Sequence, residues 1–433
     1  MAVDSNSEQL QIRFVTKDKR YAVANAPFAV PSTISCKELN TLVNELIQEA
    51  NDNHSYVEFD FLVNGEFLKL CLKEHLELKQ ISSESVVEVE YIESLPAPEP
   101  QDCLLHDDWV SSVHTSPDWI LTGCYDNSVQ IWSVKGMHQL TVTGHTGPVK
   151  TVSWVLVNSD AALFLSGSLD QTAMLWEWKI GSNTFECINI YKGHERNIES
   201  LSVSPKSEVF ASGGWDSLLK IWPVFENDYV ITNEDGESKA KRIKKDNKSM
   251  IKTPKMTLKG HRDCISCVTW TSDSEILTAS WDHTLKLWDA EIGGIKKELV
   301  GNKTFFHCDY SQINRTILTA SADKQIRLYD PRSEEGSLVK STFSSHTQWV
   351  QSVRWSKTEE NLFISGSYDN LVKLWDWRSP KAPLFDLAGH DDKILGCDWS
   401  EPKFMVSGGA DNTVIGFRCE LFEPSNPNKW AWQ

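Results

Sequence analysis

A repeated spacing of two residue types constrains the fold of this chain more than any other feature. Seven times an Asp is followed six residues later by an aromatic residue that ends an alternating apolar stretch. The pairs are Asp126/Trp132, Asp170/Trp176, Asp216/Trp222, Asp282/Trp288, Asp323/Tyr329, Asp369/Trp375 and Asp411/Phe417. Successive aromatics lie 44, 46, 66, 41, 46 and 42 residues apart. A period of this length indicates one supersecondary unit per repeat.

A histidine precedes six of these Asp residues by 20 to 25 positions. These histidines are His106, His145, His194, His261, His346 and His390, whereas the fifth repeat has Gly301-Asn302 instead. Stretches such as Leu285–Trp288 alternate apolar and polar residues, as half-buried strands do. This pattern resembles the WD-repeat family, in which each repeat forms four antiparallel strands of a propeller blade. The resemblance implies a mainly β fold, with a seven-bladed propeller over 104–419.

The resemblance also implies a structural role for the repeated polar residues, with Asp bonded to His and His bonded to a strand hydroxyl near the aromatic residue. The residues expected in this network are His145, Asp170, Trp176, His194, Asp216, Trp222, His261, Asp282, Trp288, His346, Asp369, Trp375, His390 and Asp411. Histidines some 45 residues apart fall in different blades, so they cannot converge on one metal ion. We therefore expect no catalytic residue, no metal site and no cofactor.

Residues 10–93 predict a small α+β domain that precedes the repeats. Two alternating strands, Leu10–Thr16 and Tyr21–Val30, lead to Ser35 and Glu38, which form a capping box at a helix start. Apolar residues then recur at helical spacing (Leu39, Leu42, Val43, Leu46 and Ile47). Further strands are expected at Val57–Val63 and Val86–Tyr91, with a tight hairpin turn at Asn64-Gly65. This arrangement resembles ubiquitin, without the Gly-Gly ending of a conjugated ubiquitin.

The remaining segments are predicted to connect or flank these domains. Residues 1–9 are expected to be a flexible N-terminus, 94–103 a Pro-rich linker and 420–433 a C-terminal tail. We expect the strand that closes the seventh blade to come from the linker at about 102–105. The 66-residue interval after Trp222 predicts a disordered insertion at 225–255 between blades three and four. Its basic cluster (Lys239, Lys241, Arg242, Lys244, Lys245 and Lys248) is typical of nuclear targeting, although a solvated loop has the same composition.

Composition excludes several classes of protein. A net charge of −17 argues against nonspecific nucleic-acid binding by the whole chain. The chain lacks a run of 18 apolar residues and an apolar leader, so neither a membrane span nor a secretory signal is expected. The ten cysteines are therefore predicted to be reduced thiols, and Cys264 and Cys267 to belong to a packed strand rather than to a zinc site.

The domain order and several local stretches resemble the WD-repeat protein twelve family of eukaryotic ribosome-biogenesis factors. The stretches are Val57–Val63, Ile81–Glu84, Glu88–Tyr91 and His106–Ser112. The resemblance implies a role in maturing the large-subunit pre-ribosome in the nucleolus and nucleoplasm. Implied partners are pescadillo, the block-of-proliferation WD-repeat protein and the AAA-type ATPase midasin. A contact with rRNA is a second interpretation of the basic cluster at 239–248. Glu84 matches the residue that completes the coordination of a metal ion held by midasin.

Two other classes of function remain open from the residues alone. A ubiquitin-pathway adaptor or substrate receptor would need an apolar patch on the ubiquitin-like sheet or a cullin-adaptor docking motif. A propeller enzyme would need convergent acidic, His or metal-binding residues on one face, beyond those of the blade network. The sequence singles out neither set, so a platform for binding macromolecules is the favoured interpretation.

Overall fold

The computed structural model describes residues 9–50, 55–80, 86–101, 103–225, 251–333 and 339–419. The chain divides into two compact units; the first is built on residues up to Ala97 and the second begins at Pro98. None of the helices in these described ranges is long and apolar enough to cross a membrane.

The first unit is an α+β domain with the strand order β2-β1-β5-β3-β4. Its elements are β1 Gln9–Val15, β2 Pro27–Pro31, α1 Cys36–Ala50, β3 Phe59–Val63, β4 Glu66–Phe67, α2 Leu72–Leu78 and β5 Val87–Glu93. The central pair, β1 and β5, is parallel, and the other pairs are antiparallel. This topology confirms the predicted ubiquitin-like fold.

Helix α1 begins and packs as its sequence predicts. The Ser35 amide donates to Glu38 Oε2 over 2.8 Å, and Ser35 Oγ accepts from the Glu38 amide over 3.5 Å. The buried Leu39, Val43 and Ile47 lie in one core cluster with residues of β1, β3 and β5. Asn64 and Gly65 both adopt positive φ, which is the conformation of a two-residue hairpin between β3 and β4.

Two local predictions for this unit are wrong. The strand expected from Tyr21 begins only at Pro27, because Lys19–Tyr21 form a 3₁₀ turn held by the Asp18 carboxylate. The helix α2 was not predicted; its seven residues bury only Leu72, His75 and Leu76, too few for a clear apolar period.

The second unit consists of seven sheets, each built on antiparallel strands with the first strand innermost. It opens with two short strands, β6 Glu99–Pro100 and β7 Leu104–Leu105. The first sheet contains β8 Val110–Thr115, β9 Trp119–Cys124, β10 Ser128–Ser133 and β11 His138–Thr143. The second contains β12 Val149–Val157, β13 Ala161–Ser168, β14 Thr172–Lys179 and β15 Thr184–Lys192. The third contains β16 Ile198–Val203, β17 Val209–Gly214, β18 Leu218–Pro223 and β20 Met256–Lys259. The short strand β19 Ile251–Lys252 precedes β20 in the chain but pairs with the second sheet.

The four remaining sheets repeat this order. The fourth contains β21 Ile265–Ser272, β22 Glu275–Ser280, β23 Thr284–Asp289 and β24 Ile295–Val300. The fifth contains β25 Phe305–Tyr310, β26 Ile317–Ser321, β27 Gln325–Tyr329 and β28 Val339–Ser344. The sixth contains β29 Val350–Trp355, β30 Leu362–Ser367, β31 Val372–Asp376 and β32 Phe385–Leu387. The seventh contains β33 Ile394–Glu401, β34 Phe404–Gly409 and β35 Thr413–Arg418.

The first strands form a closed ring. Each packs against the first strand of the next sheet, and β33 of the seventh sheet packs against β8 of the first. Hydrogen bonds from side chains also link neighbouring first strands. The backbone amide and the hydroxyl group of Thr115 in β8, for example, both donate to Asp398 Oδ2 in β33. The apolar cores lie between adjacent sheets, as in the cluster of Leu121, Val149 and Trp176. These contacts confirm the predicted seven-bladed propeller.

The seventh sheet is completed by residues from the start of the unit. Strand β35 pairs antiparallel with β6 and with β7, and the Gln101 amide donates to the Gly416 carbonyl. The closing strand thus comes from the expected segment. The linker predicted over 94–103 is shorter, because Glu99 and Pro100 already belong to the seventh sheet.

The insertion lies inside the third sheet, and its prediction between blades three and four is wrong. Strands β18 and β20, which flank it, pair with each other as the third and fourth strands of that sheet. The repeated aromatic ends the third strand of each sheet, so extra residues after Trp222 precede the fourth strand rather than the next sheet. Residues 226–250, with the whole basic cluster, lie outside the described residues, and Ile251–Lys252 pair in parallel with β15.

Candidate functional site

The repeated His and Asp residues form one hydrogen-bonded network per sheet. In the second sheet His145 contacts Asp170 Oδ2 through Nδ1 over 2.8 Å and Ser166 Oγ through Nε2 over 2.7 Å. Trp176 Nε1 donates to the same Ser166 Oγ over 2.8 Å. Because a carboxylate can only accept, Nδ1–H donates to Asp170, and because the indole N–H can only donate, the serine oxygen accepts from Trp176. The imidazole ring is therefore held in one orientation by contacts at both of its nitrogens.

Four other sheets carry the same His–Asp contact at 2.8–2.9 Å. The pairs are His194/Asp216, His261/Asp282, His346/Asp369 and His390/Asp411. Trp222 and Trp288 donate to Ser212 and Thr278 as Trp176 does to Ser166. Trp375 is fully buried in the sixth sheet. Burial raises the pKa of Asp369, but hydrogen bonds from His346 and backbone amides outweigh it and lower that pKa to about 2.

The first and fifth sheets depart from this network. His106 Nε2 contacts Thr122 Oγ1 at 2.9 Å, whereas Asp126 accepts from Ser128 instead of from the histidine. In the fifth sheet, which lacks the histidine, Asp323 accepts from Arg327 over 2.7 Å. The seven sheets thus share a fold through three different arrangements of polar side chains.

These networks provide no site for chemistry. Each lies within its own sheet, and no three His, Cys, Asp or Glu side chains of the described ranges come together as metal ligands. All ten cysteines are free thiols, and Cys264 and Cys267 are buried beside and within β21. Glu84, the expected ligand for the metal of a partner, lies outside the residues that the structure describes.

A cavity of about 710 Å³ follows the axis of the propeller and is lined by residues of the first strands. Arg354 lies on its wall, with Nη1 3.7 Å from Asp309 Oδ1 and Nε 3.8 Å from Asp398 Oδ1. Burial lowers the pKa of Arg354, and the two carboxylates raise it by more. Serine is the commonest residue of the lining, which also contains two histidines and these paired charges, so the cavity is polar.

Aromatic side chains from five of the seven sheets lie at one end of this cavity. In an antiparallel sheet, the loop that enters the first strand and the turn between the second and third strands lie at the same end, which we call the entry end. The aromatic rim is the set of aromatic residues at these positions, together with Phe306 at the start of β25: Trp109, Tyr125, Trp215, Trp281, Phe306, Trp349 and Tyr368. Trp109, Trp215 and Trp349 remain 38%, 41% and 49% exposed.

Contacts between neighbouring sheets make the aromatic rim one surface. The centroids of Trp215 and Trp281 are 5.2 Å apart, and those of Phe306 and Trp349 are 5.8 Å apart. Lys393 Nζ lies 4.5 Å from the ring centre of Trp109 and 5.6 Å from that of Tyr368. These contacts join the fifth, sixth, seventh and first sheets.

A buried ion pair joins the first, second and third sheets. Lys150 Nζ lies 3.2 Å from Glu199 Oε1 and 5.7 Å from the ring centre of Tyr125, and Trp215 Nε1 donates to Glu199 Oε2. Burial lowers the pKa of Lys150, but Glu199 and Tyr125 raise it by more, so the ammonium stays charged. Five of the aromatic side chains line a cavity of about 170 Å³ at the mouth.

The sequence interpretation missed the aromatic rim, although the repeats contain a signal for it. Tyr125, Trp215, Trp281 and Tyr368 each stand immediately before a repeat Asp. An aromatic residue at that position in four of seven repeats is not required by the blade network. Exposed tryptophans of this kind are enriched at protein interfaces.

Comparisons with known proteins agree with this architecture. The model of the NLE (NUC135) domain matches residues 10–76, and that of the WD domain, G-beta repeat, matches 100–133, 136–177, 185–223, 252–289, 337–376 and 381–415. The first three strands of the fifth sheet lie outside these matches, which is consistent with its missing histidine. The fold and the networks define a WD-repeat β-propeller protein with an N-terminal α+β domain.

Relatives of nearly equal length give the family. A Drosophila persimilis protein named ribosome biogenesis protein WDR12 homolog is 53% identical over 418 residues, 96% of this chain and 97% of that protein. The Aedes aegypti protein of the same name is 51% identical over 414 residues, 95% of this chain and 96% of that protein. The chain belongs to the WDR12 family, which confirms the resemblance inferred from the sequence.

Replacing Asp282 by Ala is expected to destabilise the propeller by about 1–3 kcal/mol, because His261, the Arg262 amide and the Thr284 amide lose their acceptor. Denaturant unfolding of the purified chain measures this loss. The matched control is Asp273→Ala, which removes an exposed ion pair with Lys206 and should leave the unfolding midpoint close to that of wild type. Equal unfolding midpoints for Asp282→Ala and wild type would contradict the role of the network.

The network aspartates predict a loss of stability in acid. The pKa values of Asp170, Asp216, Asp282, Asp369 and Asp411 are all lowered by folding. A carboxyl group with a lowered pKa stabilises the fold fully above its unfolded pKa of about 4 and loses this contribution as the pH falls. Unfolding curves between about pH 5 and pH 2 should show falling stability, with a shallower slope for Asp282→Ala. A slope unchanged by that substitution would count against the assignment.

Proposed function

We propose that this chain is a non-catalytic assembly factor for the precursor of the large ribosomal subunit, acting in rRNA processing and pre-ribosome maturation. The observation that carries the proposal is an identity of 51–53% over almost the full length of proteins named for ribosome biogenesis. The hydrogen-bonded histidines support a non-catalytic role, since each is already used within its own sheet.

The propeller docks the other members of the assembly complex, pescadillo and the block-of-proliferation WD-repeat protein. Its aromatic rim supports a docking role, because exposed tryptophans bury a large apolar area at little entropic cost when a partner covers them. A contact with rRNA is a further part of the proposal, through the basic cluster at 239–248. The complex works in the nucleolus and nucleoplasm.

The N-terminal domain binds midasin through Glu84. A carboxylate is a suitable ligand for a hard cation such as Mg²⁺ in a site that leaves one coordination position open. Residues 1–95 contain 16 acidic and 8 basic side chains, so this part of the chain has a charge of −8 and is attracted to a cationic site. The metal ion belongs to the partner, and this chain holds none of its own.

The alternative role, a ubiquitin-pathway adaptor, has less support. In ubiquitin-pathway recognition the outer face of the sheet would carry an apolar patch. On the described part of this face, ion pairs cross from β1 to β5, with Arg13 3.6 Å from Glu88, and Lys17, just beyond β1, lies 3.4 Å from Glu90. This charged face does not resemble an apolar docking patch.

Affinity purification of a tagged copy separates the two roles. An assembly factor brings down large-subunit precursor RNA together with pescadillo, whereas an adaptor brings down a cullin. Recovery of a cullin without precursor RNA would overturn the proposed function.

Replacing Glu84 by Ala, or by the shorter Asp, is expected to abolish metal-dependent binding to midasin while the domain stays folded. Binding is lost because Ala has no oxygen ligand and because the carboxylate of the shorter Asp is withdrawn from the metal ion. Binding is measured with the purified partner in the presence of Mg²⁺ or of EDTA, and folding by thermal unfolding. In cells, the variant should stay on the pre-ribosome and block growth dominantly.

Glu77→Ala is a suitable control for Glu84, since Glu77 is an exposed acidic residue of the same domain. It should bind midasin as wild type does. If Glu84→Ala kept wild-type, EDTA-sensitive affinity, the assignment of Glu84 would be wrong.

Replacing the six basic residues of the cluster at 239–248 by Ala is expected to reduce nucleolar accumulation of a tagged copy. Clustered Lys and Arg residues are recognised as targeting signals through their charge. Fluorescence imaging measures the distribution, in cells where pescadillo is depleted so that a partner cannot carry the protein in. Unchanged accumulation under these conditions would exclude the targeting role.

A further inference from the structure

The entry end combines aromatic side chains with an excess of negative charge. The loops that enter the sheets carry the acidic residues Asp107, Asp108, Glu195, Asp263, Asp391 and Asp392 and the basic residues Arg196, Arg262, Lys303 and Lys393. The turns between second and third strands add the seven repeat aspartates, with Lys324 the basic residue among the residues described there. A cationic ligand is therefore attracted to this end.

The aromatic rim already binds cations, namely two lysines of the chain itself. Lys393 lies over Trp109 and Tyr368, and Lys150 lies over Tyr125. These contacts show that the ring faces at this end attract positive charge. They also occupy one side of the aromatic rim.

The other side of the aromatic rim has ring faces without a cation. Among the described residues, no lysine or arginine lies over Trp215, Trp281 or Phe306. These three side chains line the same cavity at the mouth. The ring of Trp281 contacts that of Trp215, with centroids 5.2 Å apart, so a ligand over one ring also meets the other.

We propose that the aromatic rim binds an arginine- or lysine-bearing segment of a partner protein, whose cationic side chain lies against Trp215, Trp281 and Phe306. This inference deepens the proposed function. It rests on the proposed function in one respect, namely that the ligand of the aromatic rim is a protein. Single-stranded RNA would also stack on exposed tryptophans, but it needs a positively charged groove to hold its phosphates. The acidic surroundings of the aromatic rim oppose phosphates and favour a basic protein segment.

Isothermal titration of the full chain with a short peptide of alternating glycine and arginine tests this proposal. The peptide should bind, and Trp215→Ala should weaken the binding about 2- to 30-fold, the range of one cation–π contact. Trp215→Phe should recover part of the affinity, because it keeps a ring face but cannot donate to Glu199. Ile292→Ala, at an exposed turn of the opposite end, should bind as wild type does.

The contribution of charge is tested separately. Glu195→Lys, at the entry end, should weaken binding of the arginine peptide. Asp273→Lys, at the opposite end, is the control and should leave that binding unchanged. A peptide with glutamate in place of arginine should not bind. Absence of binding by the arginine peptide, equal affinity in Trp215→Ala, or binding of oligouridylate that is weakened by Trp215→Ala would each overturn the proposal. The proposed assembly role is tested independently by recovery of precursor RNA, so either can fail alone.

Discussion

The antiparallel pairing of β35 with β6 and β7 joins the two ends of the array of sheets. Each sheet buries apolar side chains against both neighbours, so an open array would leave the outer faces of the first and last sheets in water. Leu104 belongs to the core cluster that also contains Val414 of the seventh sheet and Val113 of the first. Residues from the start of the unit thus supply both hydrogen bonds and core packing at the junction.

The repeat spacing was sufficient to predict most of this architecture, because it reports on a local constraint that recurs in every sheet. The Asp of each turn accepts backbone amide hydrogens two residues later, as Asp282 does from Thr284, whatever the rest of the sheet contains. Blade number and strand order follow from that regularity. In the N-terminal domain, the capping box and apolar stripe predicted α1 for the same reason, since both act within one helix.

Features that depend on contacts between repeats could not be predicted in this way. The aromatic rim exists because side chains from different sheets meet, as Lys393 of the seventh meets Trp109 of the first. In the fifth sheet Arg327 takes the place of the missing histidine as the donor to Asp323, and this role is visible only in the structure. The position of the insertion was predicted wrongly because the sequence shows where the spacing lengthens, not which strand follows.

The closure of the ring also determines how the propeller responds to mechanical load. The chain passes directly from the N-terminal domain into β6, whose two residues pair with Phe417 and Arg418. Tension carried along the chain into the propeller therefore acts on this short ladder. In an antiparallel pair the hydrogen bonds run perpendicular to the strands, so a pull across the strands opens them one at a time, whereas a pull along the strands loads them together. The junction that completes the ring is thus also the place where tension on the entering chain acts.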